Sequence, residues 1–157
     1  MYEELELWYP YHRLREAGVE VDLVGPAAGT YQGRFGYPAE APVAAADVDA
    51  AGLAGVVVPG GYAPDRMRRH SAMVGLVRQV YAQGGVVAAI CHAGWLLVEA
   101  DILRGHTVTG FFSIRQDLVN AGARYVDEPV VVDGPLVTSR QPADLPEFGA
   151  ALVKSLA

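Results

Sequence analysis

A single cysteine, Cys91, stands in 157 residues, so the chain can form no internal disulfide and no multi-cysteine zinc site. That usage fits a reducing, cytoplasmic setting. Long hydrophobic runs are missing too. Stretches such as Val86 to Cys91 fall far short of the roughly 20 apolar residues that span a bilayer. The opening residues Met1-Tyr2-Glu3-Glu4 are acidic where a secretory leader is basic. Basic charge is in deficit: 12 Lys and Arg against 18 Asp and Glu leave −6. This argues against nucleic acid and against an anionic membrane as partners. There is no linker, repeat or low-complexity tract, because the 18 glycines and 10 prolines are dispersed. What the chain has in quantity is apolar side chain, 52% hydrophobic against 19% charged, which excludes a disordered polymer. The length suits one domain spanning 1–157.

Hydrophobic periodicity places the elements. Val19 to Val24 alternates apolar and charged residues, as a strand with one better-covered face does. Gly55-Val56-Val57-Val58 and Val86-Val87-Ala88-Ala89-Ile90 are short β-branched or small apolar runs that suit parallel strands covered on both sides. Between them, Ser71 to Gln83 carries Met73, Val74, Val77, Val80 and Tyr81 at helical spacing, with Ser71 as the expected N-cap and Gly84-Gly85 as the stop. A helix is expected from about Leu5 to Ala17-Gly18, with Pro10 inside it or at its first turn. Further on, a short helix is expected over Ile114 to Asn120. Two strands are expected around Asp133-Gly134-Pro135, and a closing amphipathic helix over Leu145 to Leu156.

Two segments are placed to carry chemistry. Val58-Pro59-Gly60-Gly61-Tyr62-Ala63-Pro64-Asp65 ends a strand in a Gly-Gly turn, which lets backbone approach a ligand or aim N–H groups at an anion. Ala89-Ile90-Cys91-His92 ends the next strand in a cysteine where a helix starts, and the helix N-terminus is expected to favour the thiolate. Both loops lie beyond the carboxyl ends of strands, where open α/β sheets bind ligands. The plainer readings remain open here. A lone cysteine in an apolar run is commonly a small buried hydrophobe. Glycine pairs are ordinary turn punctuation. Glu3, Glu4 and Glu6 complement a helix N-terminus whatever else they do. His12, His70 and His106 have no metal-ligand spacing.

Taken together, the stretches Glu3-Glu4-Leu5-Glu6 with Tyr9-Pro10, Val58-Pro59-Gly60-Gly61 with Ala63-Pro64, Ala88 to His92, Leu103-Arg104-Gly105, Asn120 to Ala123, and Val131 to Gly134 with Asp144-Leu145-Pro146 resemble the ThiJ/PfpI superfamily, in its PfpI-like intracellular protease and general stress protein branch. The resemblance implies a three-layer α/β/α sandwich around a mostly parallel, flavodoxin-like sheet. It makes Cys91 the nucleophile, Glu3 the carboxylate against its sulfur, and the N–H groups of Gly61 and His92 an oxyanion hole. His92 becomes the dyad base, oriented by an acidic residue from a neighbouring subunit at the position of Asp65. Gly60, Trp95 and Phe111 line the pocket. Phe111 replaces a tyrosine of some relatives, and Trp95 narrows the opening. The implied partner is a second copy of the chain, as a homodimer or hexamer, with no metal and no organic cofactor. The superfamily also has a parallel strand before the Glu3 segment. The expectation is that this sequence starts late.

Three activities follow from the resemblance. The first is glutathione-independent chemistry on α-oxoaldehydes or on early glycation adducts, with a small carbonyl as substrate. The second is a cysteine peptidase, which needs Asp65 from the partner. The third is a non-catalytic redox sensor acting through Cys91 oxidation. A glutamine amidotransferase is disfavoured, since the chain carries no synthetase domain.

Overall fold

The alternation in Val86–Ile90 organises the molecule, because successive strand residues face opposite sides of a sheet. In the computed structural model, which describes residues 1–157, Val87 and Ala89 enter one core and Ala88 and Ile90 the other. The chain runs α1 (Glu4–Glu16), β1 (Val24–Gly25), β2 (Gly29–Gln32), β3 (Pro38–Ala41), β4 (Val43–Ala44), β5 (Gly55–Val58), α2 (Ala63–Met67), α3 (Ser71–Ala82), β6 (Val86–Ile90), α4 (Gly94–Glu99), β7 (Thr107–Val108), α5 (Arg115–Asn120), β8 (Arg124–Tyr125), β9 (Val130–Asp133), β10 (Leu136–Ser139) and α6 (Leu145–Leu156).

The main sheet has the order β5-β6-β10-β9, parallel except for the β9–β10 hairpin. Its larger core packs Val58, Val87, Ala89 and Leu136 against α3, α4 and α5 through Val77, Val80, Leu96, Leu97 and Leu118. On the opposite face, Ala88, Ile90 and Val137 meet Leu14 of α1 and Leu145, Phe148 and Leu152 of α6. These are the three layers expected. α1 and α6 approach closely at Gly149, where a Cβ would fall 2.6 Å from the Tyr9 ring.

Two expectations need correction. Residues 19–23 do not pair as a strand; β1 begins only at Val24 and pairs only with β4. The alternation is real, since Val19 and Val21 are half-buried against the α1–α6 side while Glu20 and Asp22 are exposed. No adjacent strand supplies the ladder bonds, and a strand needs those as well as a pattern. The N-cap of α3 is His70 rather than Ser71. The β2–β3 hairpin was not signalled, because its residues are mostly exposed and lack β-branched alternation. α1 does retain Pro10 in its interior, buried against the protein.

The end of the β2–β3 hairpin and the loop after β5 are bridged at one residue. Tyr2 forms a parallel bridge with Gly33 and an antiparallel bridge with Gly61. The chain then enters α1 directly above the ends of β5 and β6, which aims the first turn of α1 at the two loops singled out in the sequence.

Phe148 is fully buried where α6 covers the sheet. Phe148→Ala should lower the unfolding free energy by about 3–5 kcal/mol, read as a fall in the urea midpoint with little change in slope.

Candidate active site

β6 stops at Ile90, and the next residue turns the chain with φ +62°. A side chain in this left-handed region costs on the order of 1–3 kcal/mol, and surrounding contacts must hold it there. Cys91 is that residue. Its carbonyl accepts from the Phe111 N–H at 3.1 Å. A 3₁₀ turn, Cys91–Ala93, then leads into α4. The sharp turn lifts the sulfur to the carboxyl end of the sheet, although Cys91 stays 8% exposed.

Glu6, from the first turns of α1, meets it there. Glu6 is fully buried. Its Oε2 accepts the Gly60 N–H at 2.8 Å, and its carboxyl lies beside the Cys91 thiol. Oε1 is buried without a hydrogen-bond partner. Gly60 is required by this approach: a Cβ there would lie 2.4 Å from Oε2 of Glu6 and 2.8 Å from Cβ of Cys91. Gly61 is required for a second reason. Its φ is +76°, and a Cβ would strike the backbone of Met1 to Glu3. The N–H groups of Gly61 and His92 both point at the Cys91 sulfur. The resemblance makes these two donors an oxyanion hole.

The electrostatics are those of two acids sharing a buried place. Burial raises the Glu6 carboxyl to about 7, against the pull of the Gly60 N–H. Burial, then the Glu6 charge, push the Cys91 thiol up to about 12, against the two N–H groups. The pair resists carrying two negative charges and holds a proton near neutrality. The expected thiolate preference from the helix start is therefore overridden: α4 has only six residues, and desolvation is the larger effect. His92 is pushed below its ordinary value, first by burial and then by Arg34, which favours the neutral imidazole. Its Nδ1 lies 3.1 Å from Cys91 Sγ.

The carboxylate assignment changes. Glu6, not Glu3, faces the thiol. Glu3 is the N-cap residue of α1. Its N–H donates to the Gly60 carbonyl at 3.2 Å, and its Oε2 accepts from Arg34 Nη1 at 3.3 Å. Glu4 accepts the Phe35 N–H at 2.6 Å. Three glutamates in one helical turn point in three directions, and spacing alone does not say which enters the sheet end. Asp65, in α2, is exposed and makes no hydrogen bond or ion pair within the chain, so it does not reach His92 of its own subunit. Phe111 stacks on His92 with centroids 4.8 Å apart, and Trp95 meets the same ring edge-on at 5.3 Å. The Trp95 indole donates to Asp117 Oδ2 at 2.8 Å. A hollow of about 390 Å³ lies beside Trp95 between Arg68, Val98, Asp117, Asn120 and Ala121, and Cys91 does not line it. Arg34 and Ser113, both beside His92, carried no sequence signal: one lies in a tight turn and the other in a short 3₁₀ segment. No group of three His, Cys, Asp or Glu side chains is placed to hold a metal ion.

A carboxyl titrating near 7 in the fold against 4.5 when free has a signed consequence. Its raised value stabilises the fold fully below about pH 4.5, and the contribution is lost as pH rises through about 7. Relative to Glu6→Gln, which cannot ionise, the wild type should lose stability on the order of 3 kcal/mol across that window. Urea unfolding of both proteins at a series of pH values measures it, and parallel curves would refute the buried shift.

A model of the DJ-1/PfpI family matches residues 1–155. Among curated relatives, a deglycase of Pyrococcus horikoshii is 41% identical over 155 residues, covering 99% of this chain and 93% of its own. An uncharacterized protein of Archaeoglobus fulgidus is 43% identical, covering 99% and 92%. Among solved structures, the DJ-1beta protein of Drosophila melanogaster superposes with a TM-score of 0.92 at 32% identity, covering 99% of this chain and 85% of that one. A two-domain protein from Anabaena variabilis, with DJ-1/ThiJ/PfpI-like and ferritin-like domains, gives 0.97 at 42% identity, and the chain spans 47% of its length. The residues matched include both loops and the α1 turn that meet at Cys91, and the chain belongs to the DJ-1/PfpI family.

Proposed function

We propose that this chain is a cysteine-dependent, deglycase-like enzyme that acts on α-oxoaldehydes or on early glycation adducts without glutathione. Relatives named deglycases at 39–41% identity over nearly the whole chain support the class. The observation that carries the reading is the buried Glu6 carboxyl against Cys91, with two N–H donors beside the sulfur.

That arrangement suits an aldehyde next to a second carbonyl. His92 Nδ1 takes the thiol proton as the sulfur adds to the aldehyde carbon. The new oxyanion receives the N–H groups of Gly61 and His92. The adduct is a hemithioacetal. Glu6 then moves a proton from the former aldehyde carbon to its neighbour through an enediol, leaving a hydroxyacyl thioester on Cys91. Water hydrolyses it to the hydroxy acid and returns the thiol. One water is consumed, and the internal rearrangement oxidises one carbon while reducing the next. A carboxyl with a value near 7 is matched to this two-way transfer at neutral pH. With methylglyoxal the product is lactate. Trp95 and Phe111 pack against the His92 ring beside the sulfur, which suits a small carbonyl as the substrate class.

A peptidase is the second reading, favoured by the 3.1 Å contact between Cys91 and His92. It requires Asp65 of a neighbouring copy. Exposed Tyr62 beside Asp65 offers an apolar contact for a homodimer or hexamer. The redox reading has weaker support, since sensor thiols are exposed and of low pKa. The expected setting remains the cytoplasm; the structure adds only that no helix is long and apolar enough to cross a membrane.

Wild type should consume methylglyoxal and release equimolar lactate without glutathione. Cys91→Ser should abolish turnover. Glu6→Gln should lower kcat/KM by about 10²–10⁴-fold, whereas Glu3→Gln keeps the rate within about tenfold. Methylglyoxal loss without lactate would mean thiol trapping and would overturn the proposal. Peptide hydrolysis that depends on Asp65, in place of lactate formation, would transfer the site to the second reading.

A further inference from the structure

Both ring nitrogens of His92 are occupied within one chain. Nδ1 lies 3.1 Å from Cys91 Sγ, and Nε2 lies 3.2 Å from the hydroxyl of Ser113. The ring has little freedom to leave this arrangement, with Phe111 stacked on one face at an interplanar angle of 28° and Trp95 against its edge. Ser113 is held just as firmly. It sits in the 3₁₀ turn Phe112–Ile114, whose N–H at Ile114 donates to the Phe111 carbonyl at 3.1 Å. Phe111 in turn donates its own N–H to the Cys91 carbonyl at 3.1 Å. Nucleophile, base and hydroxyl therefore hang on one continuous backbone clasp between the β6 end and the β7–α5 connection.

We propose that Ser113 is the positioning residue for His92, completing a Cys91–His92–Ser113 relay inside a single subunit. This rests on the reading that His92 receives the Cys91 proton. With Nδ1 free to accept from the thiol, Nε2 carries the ring hydrogen and donates it to Ser113 Oγ. When Nδ1 takes the proton, the Nε2–H bond persists and strengthens, because the donor is now an imidazolium. Ser113 is exposed, so its own hydroxyl proton is left to water. Within one chain, the nitrogen that the superfamily resemblance turns toward a neighbour's acidic residue thus already faces a neutral hydroxyl. Orientation is preserved, and the charge stabilisation a carboxylate would add is not.

The other charges around the ring are Arg34 from the Gly33–Gly36 turn, Glu6 of α1 behind the thiol, and Asp117 of α5 behind Trp95. None of them bonds to Nε2. Removing Ser113 therefore takes away that nitrogen's partner within the chain.

The test follows the His92 ring by ¹⁵N NMR and turnover by lactate release, in wild type, Ser113→Ala, Ser113→Thr and Asp65→Asn. Ser113→Ala should lower the His92 titration midpoint by about half a unit and kcat by about three- to tenfold at nearly constant KM. Ser113→Thr, which keeps the hydroxyl, should restore both. Asp65→Asn should leave the ring titration in place. An unchanged midpoint in Ser113→Ala overturns the proposal. So does a midpoint that moves in Asp65→Asn alone, which would assign Nε2 to the neighbouring subunit. Should wild type form no lactate, the functional reading fails while the NMR titration still decides the part of Ser113.

Discussion

The molecule is built around a close approach between a helix and a sheet end. Glu6 reaches Cys91 only because Gly60 has no Cβ to stand between them. The rest of the site is arranged around that contact. The Gly60 N–H holds one carboxyl oxygen and leaves the other buried without a partner. The positive φ of Gly61 turns the next N–H back toward the sulfur. The positive φ of Cys91 lifts the sulfur out of the β6 line to meet the carboxyl. A side chain at Gly60 would separate acid from nucleophile, and the backbone strain at Cys91 would then serve no contact.

The approach also accounts for the electrostatics. Burial raises the proton affinity of both the carboxyl and the thiol, and the Glu6 charge raises that of Cys91 further. Such a pair is a poor permanent thiolate. In the proposed cycle the thiol proton goes to His92, and the carboxyl near neutrality carries the separate proton between two adjacent carbons. The neutral preference of His92 fits the same cycle, because a base must be empty before it can accept. The site's resting state is thus close to uncharged, which lowers the desolvation cost of closing it around a small neutral substrate.

Much of this was legible from the chain. The short apolar runs at Val56–Val58 and Val86–Ile90 announce buried parallel strands, and α6 occupies the predicted Leu145–Leu156. The two loops at Gly60 and Cys91 follow from topology, since both leave the same edge of the sheet. What could not be read was direction. Glu3, Glu4 and Glu6 share a turn, and the choice among them depends on where Tyr2 pins the start of α1 between Gly33 and Gly61. That is a contact between residues far apart in sequence. The same holds for the strand expected at residues 19–23, where the pattern was right and the pairing absent. Ser113 was invisible for another reason: a serine in a surface turn is ordinary until a histidine is stacked in place beside it.

The last step concerns how firmly the reactive groups are fixed. Four side chains bear on the Cys91 sulfur or the His92 ring: Glu6, Phe111, Trp95 and Ser113. They arrive from α1, the segment before α5, α4 and the 3₁₀ turn, so no single loop carries the site. Three of them are themselves anchored: Glu6 to Gly60, Phe111 to the Cys91 carbonyl, Trp95 to Asp117. Anchoring from several elements is what permits a non-glycine residue to remain at φ +62°, because relaxing Cys91 would require all of them to move together. Reactivity here is therefore a property of the packed fold rather than of the cysteine's sequence neighbours, and substitutions that loosen α1 against the sheet should reach the chemistry before they unfold the protein.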